Sequence, residues 1–276
     1  MRKLIVFALM LSACQGSFTS DPSNTLLQEA DSIVGGVTVS PESPLNQKAF
    51  SLRVLSNPKT VQEGDATTTY YSVSQCTASA LTPRIILTAA HCVSSSATVH
   101  RIELPTADGK KAIYKVAKAI ANPDYAKDGV SDLALMLLEI SLPENIETLS
   151  LPPRDVDLDL KKITAAGFGR VDGRKSVPGN LGILRTVELD VVSYSKTSAT
   201  FHVDQTAGKG ICQGDSGGPA MIDINGKTVV VGVVSKTRYT PSPDGDHDYC
   251  NFRGQYVNVQ KYLDWIFATA TQLAKE

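Results

Sequence analysis

One short stretch, residues 214–219, combines glycines with a single hydroxyl in a way that suits nucleophilic chemistry. Its sequence is Gly-Asp-Ser-Gly-Gly-Pro, so Ser216 lies among glycines that permit tight turns and the close approach of another molecule. A serine hydroxyl is a weak nucleophile at neutral pH and needs an adjacent base to activate it. If Ser216 attacks a carbonyl, the chain must also supply a group that orients the base and N–H donors for the oxyanion.

Two other residues have the character that such a base and its orienting acid require. His91 follows the apolar run at residues 85–89 and precedes a cysteine, whereas a lone histidine is usually structural or exposed. Asp132 precedes the apolar residues 133–138, as expected for a partly buried carboxylate, although a turn cap or a strand-initiating residue has the same pattern. The sequence therefore makes His91 and Asp132 the candidate partners of Ser216.

Length and composition limit the classes of protein in which this chemistry could occur. The chain has 276 residues, 42% of them hydrophobic, which is enough to bury a core as one large all-β unit or as two domains. The formal net charge is −1 and no long basic block occurs, so nucleic-acid binding has little electrostatic support. Beyond the N-terminal segment, no apolar run reaches the ~18 residues of a membrane span. We therefore expect the mature protein to be soluble and to have no nucleic-acid partner.

The N-terminus has the pattern of an export signal. A short positive head precedes an apolar run at residues 4–11, and Leu-Ser-Ala-Cys then ends at Cys14. This end resembles a bacterial lipobox, in which the cysteine becomes the lipidated first residue; an ordinary secretory signal with an incidental cysteine is the alternative. We predict a signal over residues 1–14 and a pro-segment over residues 15–32. By resemblance to enterobacterial sorting, Gln15, which is not an aspartate, favours the outer membrane over the inner. We predict the outer membrane or periplasm for the lipidated zymogen, or secretion after activation.

Short β-forming runs separated by turns dominate the chain after residue 50. The predicted strands are residues 85–89, 112–120, 133–138, 186–191 and 229–234. A polar, proline-rich stretch over residues 141–160 predicts a connection between two halves. Strong helical spacing occurs only at the C-terminus, where apolar side chains repeat on one face and predict a packed helix. Those side chains are Tyr262, Leu263, Ile266, Phe267, Ala270 and Leu273.

Four motifs, in their order along the chain, resemble the chymotrypsin/trypsin-like serine protease family. They are Ile33-Val34-Gly35-Gly36, Thr88-Ala89-Ala90-His91-Cys92, Asp132-Leu133-Ala134-Leu135 and Gly214-Asp215-Ser216-Gly217-Gly218-Pro219. The order His, Asp, Ser is the order of this family and differs from that of subtilisin and of the α/β-hydrolases. The resemblance covers about residues 33 to 270.

The resemblance implies an all-β fold of two antiparallel six-stranded β-barrels, with the active site between them and an α-helix at the C-terminus. The implied division is an N-terminal barrel at residues 33–145, a linker at 146–160, a C-terminal barrel at 161–258 and the helix at 259–276. His91 and Asp132 would then come from the first barrel, and Ser216 from the second.

The resemblance also assigns a role to each candidate residue. Ser216 attacks the scissile carbonyl, His91 takes its proton and hands it to the leaving amine, and Asp132 orients the imidazole. The N–H groups of Gly214 and Ser216 bind the oxyanion. Neither a cofactor nor a metal takes part, and the substrates are proteins or peptides.

Five cysteines are an odd number for an exported chain. With Cys14 assigned to the lipid, four remain, and the residues alone leave all three pairings of these four open. The resemblance implies one of them, in which Cys76 pairs with Cys92 and Cys212 pairs with Cys250. None of the spacings is C-x-x-C, which argues against a zinc site.

The first motif implies synthesis as a zymogen. In the family, cleavage creates a new N-terminus at the residue matching Ile33, and its α-amine pairs with the acid before the nucleophile, here Asp215. A buried carboxylate without a partner is costly, so we expect the loop around Asp215 to be misplaced before cleavage. The residue before the cut is Ser32 and not Arg or Lys, which implies an activating protease of a different specificity. Cleavage would also release the catalytic body from a lipid on Cys14.

Three places determine the primary specificity pocket in the family. At the base, Gly210 supplies no carboxylate, so a preference for Lys or Arg is not expected. One wall is formed by Ser235, Lys236 and Thr237, and the β-branched Thr237 would narrow the mouth. The other wall contains Gly254, which leaves room. Together these residues imply a small or medium apolar residue before the scissile bond.

Several alternatives remain open at this point. The acidic loop at residues 244–248, Asp-Gly-Asp-His-Asp, is interpreted as solvated, but it would also suit a calcium site or bind a basic substrate side chain. The last case would make the enzyme prefer basic residues. Two other functions fit the same residues: a catalytically silent, protease-like binding module, and an esterase that uses the same triad.

Overall fold

The computed structural model of the chain describes residues 33–40, 43–63, 66–93, 97–106, 110–178 and 181–276. The predicted signal and pro-segment, with Cys14, lie outside these residues. No helix among the described residues is long and apolar enough to span a membrane.

Thirteen strands make up most of the regular structure in the described ranges. In chain order they are β1 (Val37–Thr38), β2 (Phe50–Glu63), β3 (Ala66–Ala80), β4 (Ile85–Thr88), β5 (Ala97–Pro105), β6 (Lys111–Ala121), β7 (Ala134–Leu138), β8 (Lys162–Gly167), β9 (Arg185–Ser193), β10 (Thr200–Asp204), β11 (Pro219–Ile224), β12 (Lys227–Arg238) and β13 (Arg253–Asn258). The α-helices are α1 (Tyr125–Asp128) and α2 (Leu263–Leu273), and short 3-10 turns occupy Pro44–Gln47, Ala90–Val93 and Val259–Tyr262.

The first barrel is closed by six antiparallel strands in the order β2-β3-β4-β7-β6-β5. The strands predicted at residues 85–89, 112–120 and 133–138 are confirmed as β4, β6 and β7. Every residue of β7 is buried, because its uninterrupted apolar run faces protein on both sides.

The second barrel is a ring of six antiparallel strands in the order β9-β10-β13-β12-β11-β8, which the pairing of β8 with β9 closes. The strands predicted at residues 186–191 and 229–234 are confirmed as β9 and β12, and β12 is central. The predicted all-β double-barrel fold is therefore confirmed. One detail differs from the predicted division: β1 pairs with β9, so residues 37–38 belong to the second sheet and not to the first barrel.

The hydrophobic core forms two clusters. The larger one fills the first barrel and continues across the interface to β12, β13 and helix α2. The smaller one fills the second barrel and contains Ile33. Helix α2 buries Leu263, Ile266 and Leu273, whereas Phe267, which was predicted to lie on the same apolar face, is 49% exposed. Adjacent helical residues differ by ~100° around the axis, which turns Phe267 away from the face that Ile266 occupies.

The segment between Leu138 and Lys162 contains neither helix nor strand, and it includes the stretch predicted to connect the two halves. It is attached to both barrels. The N–H of Leu149 donates to the carbonyl of Ala80 at 2.8 Å, and Ser150 forms a parallel bridge to Val229. The connection therefore fixes one barrel against the other.

Candidate active site

The pairing of β4 with β7 brings His91 and Asp132 together. Thr88 lies opposite Ala134, so the residues just after β4 and just before β7 meet at the same end of the barrel. His91 lies in the 3-10 turn after β4, and its Nδ1 is 2.8 Å from Asp132 Oδ2. Its backbone N–H also donates to Asp132 Oδ1 at 2.9 Å. Two bonds thus fix both the turn and the imidazole ring against one carboxylate.

Asp132 is fully buried and yet has the environment of an ionised group. Besides His91, the hydroxyl of Ser235 donates to Asp132 Oδ2 at 2.6 Å. Burial by itself would raise the pKa of Asp132, but hydrogen bonds from His91 and Ser235, with the charge of His91, hold that pKa below its ordinary value. An ionised carboxylate at this distance favours a proton on Nδ1 of His91 and leaves Nε2 as the basic atom.

The loop that carries Ser216 lies against the turn that carries His91. The N–H of Thr77 donates to the carbonyl of Ser216 at 2.8 Å, and Cys92 Sγ lies 3.7 Å from the same oxygen. Gly217 has φ +83°, and a Cβ there would overlap the hydroxyl of Thr88. The close approach of the two segments therefore requires glycine at this position. The side chain of Ser216 is itself partly exposed, as a group that meets a substrate must be.

Two backbone N–H groups of the loop are left available for a ligand. In the described part of the chain, the N–H groups of Asp215, Gly217 and Gly218 all donate to carbonyls, whereas those of Gly214 and Ser216 donate to none. Gly214 has φ +101°, a conformation that only glycine adopts without strain. The pair of donors predicted for the oxyanion is thus the pair without protein acceptors.

Asp215 belongs to the same loop, and its side chain is fully buried. Its carboxylate accepts the N–H of Gly169 at 2.7 Å and the N–H of Cys212 at 2.8 Å. Burial raises its pKa to about 7, although these two bonds and the charge of Arg185 act in the opposite direction. In this structure two backbone N–H groups thus bind the carboxylate. The misplacement of this loop before cleavage stays a prediction.

The predicted activation residue Ile33 is also buried, in the core of the second barrel. Val34, the residue after Ile33, accepts a hydrogen bond at its carbonyl from the N–H of Gly210 at 2.9 Å. This bond joins the segment to the loop before Ser216. Ile33 has φ +55°, which is strained for a β-branched residue. Its φ depends on the position of the carbonyl of the preceding residue. Cleavage of that peptide bond would remove the carbonyl and, with it, the strain.

Gln205, which no motif marks in the sequence, occupies the base of the predicted specificity pocket. It lies in the space beside Gly210 and Gly254, and a Cβ at either glycine would overlap its side chain. Its Nε2 donates to the carbonyls of Ile211 and Cys250 at 3.1 and 2.6 Å, and its Oε1 accepts the N–H of Ile211 at 3.2 Å. The room that Gly254 was expected to leave is therefore filled by an amide.

The three residues predicted to form the pocket wall have different surroundings. Ser235 directs its hydroxyl to Asp132, so its side chain supports the acid and does not line a pocket. The ammonium group of Lys236 donates to the carbonyl of Gly129 at 2.7 Å. Thr237 lies opposite Gly254 across β12 and β13, as a wall residue should. The register of β12 against β13 shifts between Val234 and Lys236, which is the position of Ser235.

Both disulfides implied by the resemblance are confirmed. Cys76 is bonded to Cys92 beside His91, and Cys212 is bonded to Cys250 beside the loop of Ser216. Among the described residues, the one group with the spacing of metal ligands contains His91 and the first of these disulfides. Its sulfurs are bonded to each other, so they do not offer thiolates to a metal.

The acidic loop binds its own neighbours. Asp244 accepts the hydroxyl of Ser242 at 2.6 Å, Asp248 accepts the N–H of Gly173 at 3.1 Å, and Asp246 accepts the hydroxyl of Ser176. Within the described residues these carboxylates form no cluster with the spacing of metal ligands. They stabilise the loop, which agrees with its interpretation as a solvated segment.

Comparison with known proteins gives two results. A family model described as Trypsin matches residues 57–266, a range that contains His91, Asp132 and Ser216 but begins after Ile33. One curated relative, the "CLIP domain-containing serine protease B4" of Anopheles gambiae, is 31% identical over 228 residues, which cover 69% of this chain. The chain spans 61% of the length of that relative.

Proposed function

The chain belongs to the trypsin family of serine proteases, and we propose on that basis that it is a serine endopeptidase. The observation that supports this proposal is the contact between the loop of Ser216 and the turn of His91, where Cys92 Sγ lies 3.7 Å from the carbonyl oxygen of Ser216. This contact supports one shared site for three groups: the buried Asp132–His91 pair, the partly exposed Ser216, and the two N–H groups of its loop that have no acceptor among the described residues. A binding module derived from this fold would have no use for all three.

The proposed reaction begins when Nε2 of His91 takes the hydroxyl proton of Ser216 and the oxygen attacks the peptide carbonyl. Asp132 keeps Nδ1 protonated and stabilises the imidazolium that forms. The N–H groups of Gly214 and Ser216 hold the negative oxygen of the tetrahedral intermediate. His91 then gives the proton to the leaving amine, the C–N bond breaks, and water hydrolyses the remaining ester by the same steps.

Peptide hydrolysis by protein that has been cleaved before Ile33 tests this function. We expect hydrolysis of a mixed peptide library, and we expect Ser216→Ala to abolish it while leaving the melting temperature nearly unchanged. Asp132→Asn should fold but should lose most of the activity, because the amide stabilises the wrong imidazole tautomer. Cleaved protein that hydrolyses esters but no peptide would identify an esterase, and cleaved protein that hydrolyses neither would favour a silent binding module.

We infer that activation requires cleavage before Ile33. Two observations support this site: the strained φ of Ile33, worth ~1–3 kcal/mol, and the buried carboxylate of Asp215 in the same barrel. The new α-ammonium would pair with that carboxylate. Because Ser32 precedes the cut, a separate protease of non-tryptic specificity is the proposed activator. N-terminal sequencing of the active form tests this, and a start at any other residue would contradict it.

We propose a preference for small or medium apolar residues before the scissile bond. The amide of Gln205 fills the base of the pocket, both its polar atoms are bonded to the protein, and it supplies no negative charge to a lysine or arginine. The neighbouring Ile211 is fully buried and apolar. A fluorogenic peptide panel tests this preference, and strong cleavage after arginine would refute it and favour a role for the acidic loop.

The same panel tests the role of Gln205 directly. Gln205→Ala should shift the preference toward larger apolar residues by about tenfold, since it removes the atoms at the base of the pocket. Gln260→Ala is the matched control. Gln260 is also a buried glutamine. Its side-chain Nε2 donates hydrogen bonds to the carbonyls of Pro153 and Val156, in the segment that connects the barrels.

We propose that the protein works outside the cytoplasm. The two disulfides support this, because such bonds persist in oxidising compartments. Lipidation of Cys14, with release of the catalytic body on activation, remains the proposed route to the membrane. Cell fractionation tests both steps. Uncleaved protein should sediment with membranes, and the uncleaved Cys14→Ser variant should not. Activated protein that stays in the washed membrane pellet would contradict the proposed release.

A further inference from the structure

The last residues of β12, at 235–238, have an open edge beside the loop of Ser216. On one side, residues 236–238 pair with β13. On the other side, β11 begins only at Pro219, opposite Val233, and within the described ranges no strand pairs with residues 235–238 there. An extended peptide can therefore add to this edge as a further strand.

The loop of Ser216 determines how such a peptide would be placed. The N–H of the residue after Ser216 donates to the carbonyl of Val234 at 2.8 Å, so Ser216 lies at the start of the open edge. The substrate residue whose carbonyl is attacked would then lie opposite Ser235. The same strand walls the predicted pocket for that residue, so the N-terminal part of the substrate follows the edge, antiparallel to β12. With the pocket residue counted as the first before the scissile bond, the second lies opposite Lys236 and the fourth opposite Arg238.

Lys236 places a positive charge on this path. Its side chain is exposed, and its ammonium group donates to the carbonyl of Gly129 at 2.7 Å. That acceptor is neutral, and among the residues that the structure describes the ammonium group forms no ion pair with a carboxylate. Gly129 lies three residues before Asp132, so the charge is on the side of the cleft that holds the acid and His91.

The neighbouring charges leave an excess of positive charge along the edge. Asp128 precedes the carbonyl that Lys236 binds, but its carboxylate accepts the N–H groups of Val130 and Ser131 at 2.8 and 2.9 Å. Two positions along β12, Arg238 is a second exposed cation, and the residue opposite it on β13 is also an arginine. A negatively charged side chain of a substrate would therefore meet attraction here.

The strand geometry relates each cation to one substrate position. Side chains directly opposite each other in an antiparallel pair share a face, where opposite charges attract and like charges repel. We propose that Lys236 is a specificity-determining residue that favours an acidic side chain at the second substrate position before the scissile bond. Arg238 favours another at the fourth. The substrates are thus protein segments in which acidic residues precede the apolar residue at the cut. This inference rests on the proposed function.

A pair of matched peptides tests this inference in protein cleaved before Ile33. Both peptides have valine directly before the scissile bond, and they differ only at the second position, which is glutamate in one and glutamine in the other. The quantity measured is the ratio of kcat/KM for the glutamate peptide to that for the glutamine peptide. Wild type should give a ratio of about five, the upper part of the range for an opposite-charge pair across two strands. High salt should bring the ratio toward one, since it screens exposed charges.

Two variants of Lys236 and one control identify the source of the preference. Lys236→Gln should bring the ratio to about one, because it keeps a polar side chain and removes the charge. Lys236→Glu should reverse the preference, so that a peptide with lysine at the second position is cleaved faster than the glutamine peptide. Lys227→Gln is the matched control, because Lys227 is an exposed lysine at the opposite end of the same strand. Its ratio should equal that of wild type.

Two results would overturn the inference. One is a wild-type ratio near one. The other is a ratio that Lys236→Gln leaves unchanged; if Lys236 only holds the segment before Asp132, its removal changes kcat/KM for both peptides equally and gives this result. Failure of the proposed function is distinguishable from both, since cleaved wild type then hydrolyses neither peptide and this inference falls with it.

Discussion

We predict that the buried carboxylate of Asp215 makes the stability of the uncleaved chain fall as the pH rises. Burial raises the pKa of Asp215 to about 7, against an ordinary value of 3.8. A raised pKa means that the folded state holds the proton more tightly than the unfolded state does. The stability from this group is therefore complete below the unfolded pKa and is lost as the pH rises through about 7.

The size of the effect follows from these two values. One pKa unit corresponds to ~1.4 kcal/mol, so between about pH 5 and about pH 8 this group removes ~2.5 kcal/mol from the free energy of unfolding. Asp215→Asn cannot ionise and should lack this part of the pH dependence. Cleavage before Ile33 should also remove it, because a nearby α-ammonium favours the ionised carboxylate and lowers its pKa.

Urea unfolding, followed by the fluorescence of the single tryptophan, Trp265, measures this free energy. A Ser216→Ala background prevents self-digestion, and the comparison is with the Ser216→Ala, Asp215→Asn double variant across the same pH range. Between about pH 5 and about pH 8, the free energy of unfolding of the protein with Asp215 should fall by ~2.5 kcal/mol relative to that of the Asp215→Asn variant. Parallel pH profiles, or a profile that cleavage leaves unchanged, would refute the assignment of a raised pKa to Asp215.

Three further predictions concern the active site. Ser235→Ala removes a hydroxyl from the buried Asp132 and should destabilise the protein by ~1.5–3 kcal/mol and lower kcat more than it changes KM. Gly217→Ala should lower the free energy of unfolding by more than ~2 kcal/mol and abolish activity, because its Cβ meets the hydroxyl of Thr88. Gly226→Ala is the control: its φ is similarly positive but its surroundings are open, so thermal melts should show a loss of only ~1 kcal/mol. Because the pKa of Asp132 is lowered, the stability from its ionised form should be present at neutral pH and be lost only as the pH falls through that lowered value, which acid titration of the folded protein would detect.

Much of the fold could be predicted because local pattern agrees with tertiary environment. The continuous apolar runs of β7 and the middle of β12 are buried on both faces, and the alternation in β9 matches its one wet and one buried face. The disulfides also followed, but from the resemblance and not from spacing, since the cysteines alone allowed three pairings. For the strands, a short segment of sequence carried enough information.

The rest depends on residues that meet only in three dimensions. Ser235 lies 103 positions from Asp132, and nothing around it marks it as a hydrogen-bond donor to the acid. Gln205 is an ordinary polar residue in sequence, and it fills the pocket only because two glycines leave it space. Arg185 stands in an alternating strand where a basic residue usually faces solvent. No periodicity distinguishes these three residues from surface residues, so only their packing identifies them.

The central claim is that Ser216 is a nucleophile activated by His91, and covalent labelling tests it most directly. Protein cleaved before Ile33 is treated with a fluorophosphonate, and the adduct is measured by intact mass and located by peptide mapping. We predict one adduct per chain, on Ser216, and a labelling rate that falls by several orders of magnitude in His91→Ala while the fold is retained. An adduct on another residue, no adduct at all, or a rate that does not depend on His91 would contradict the claim.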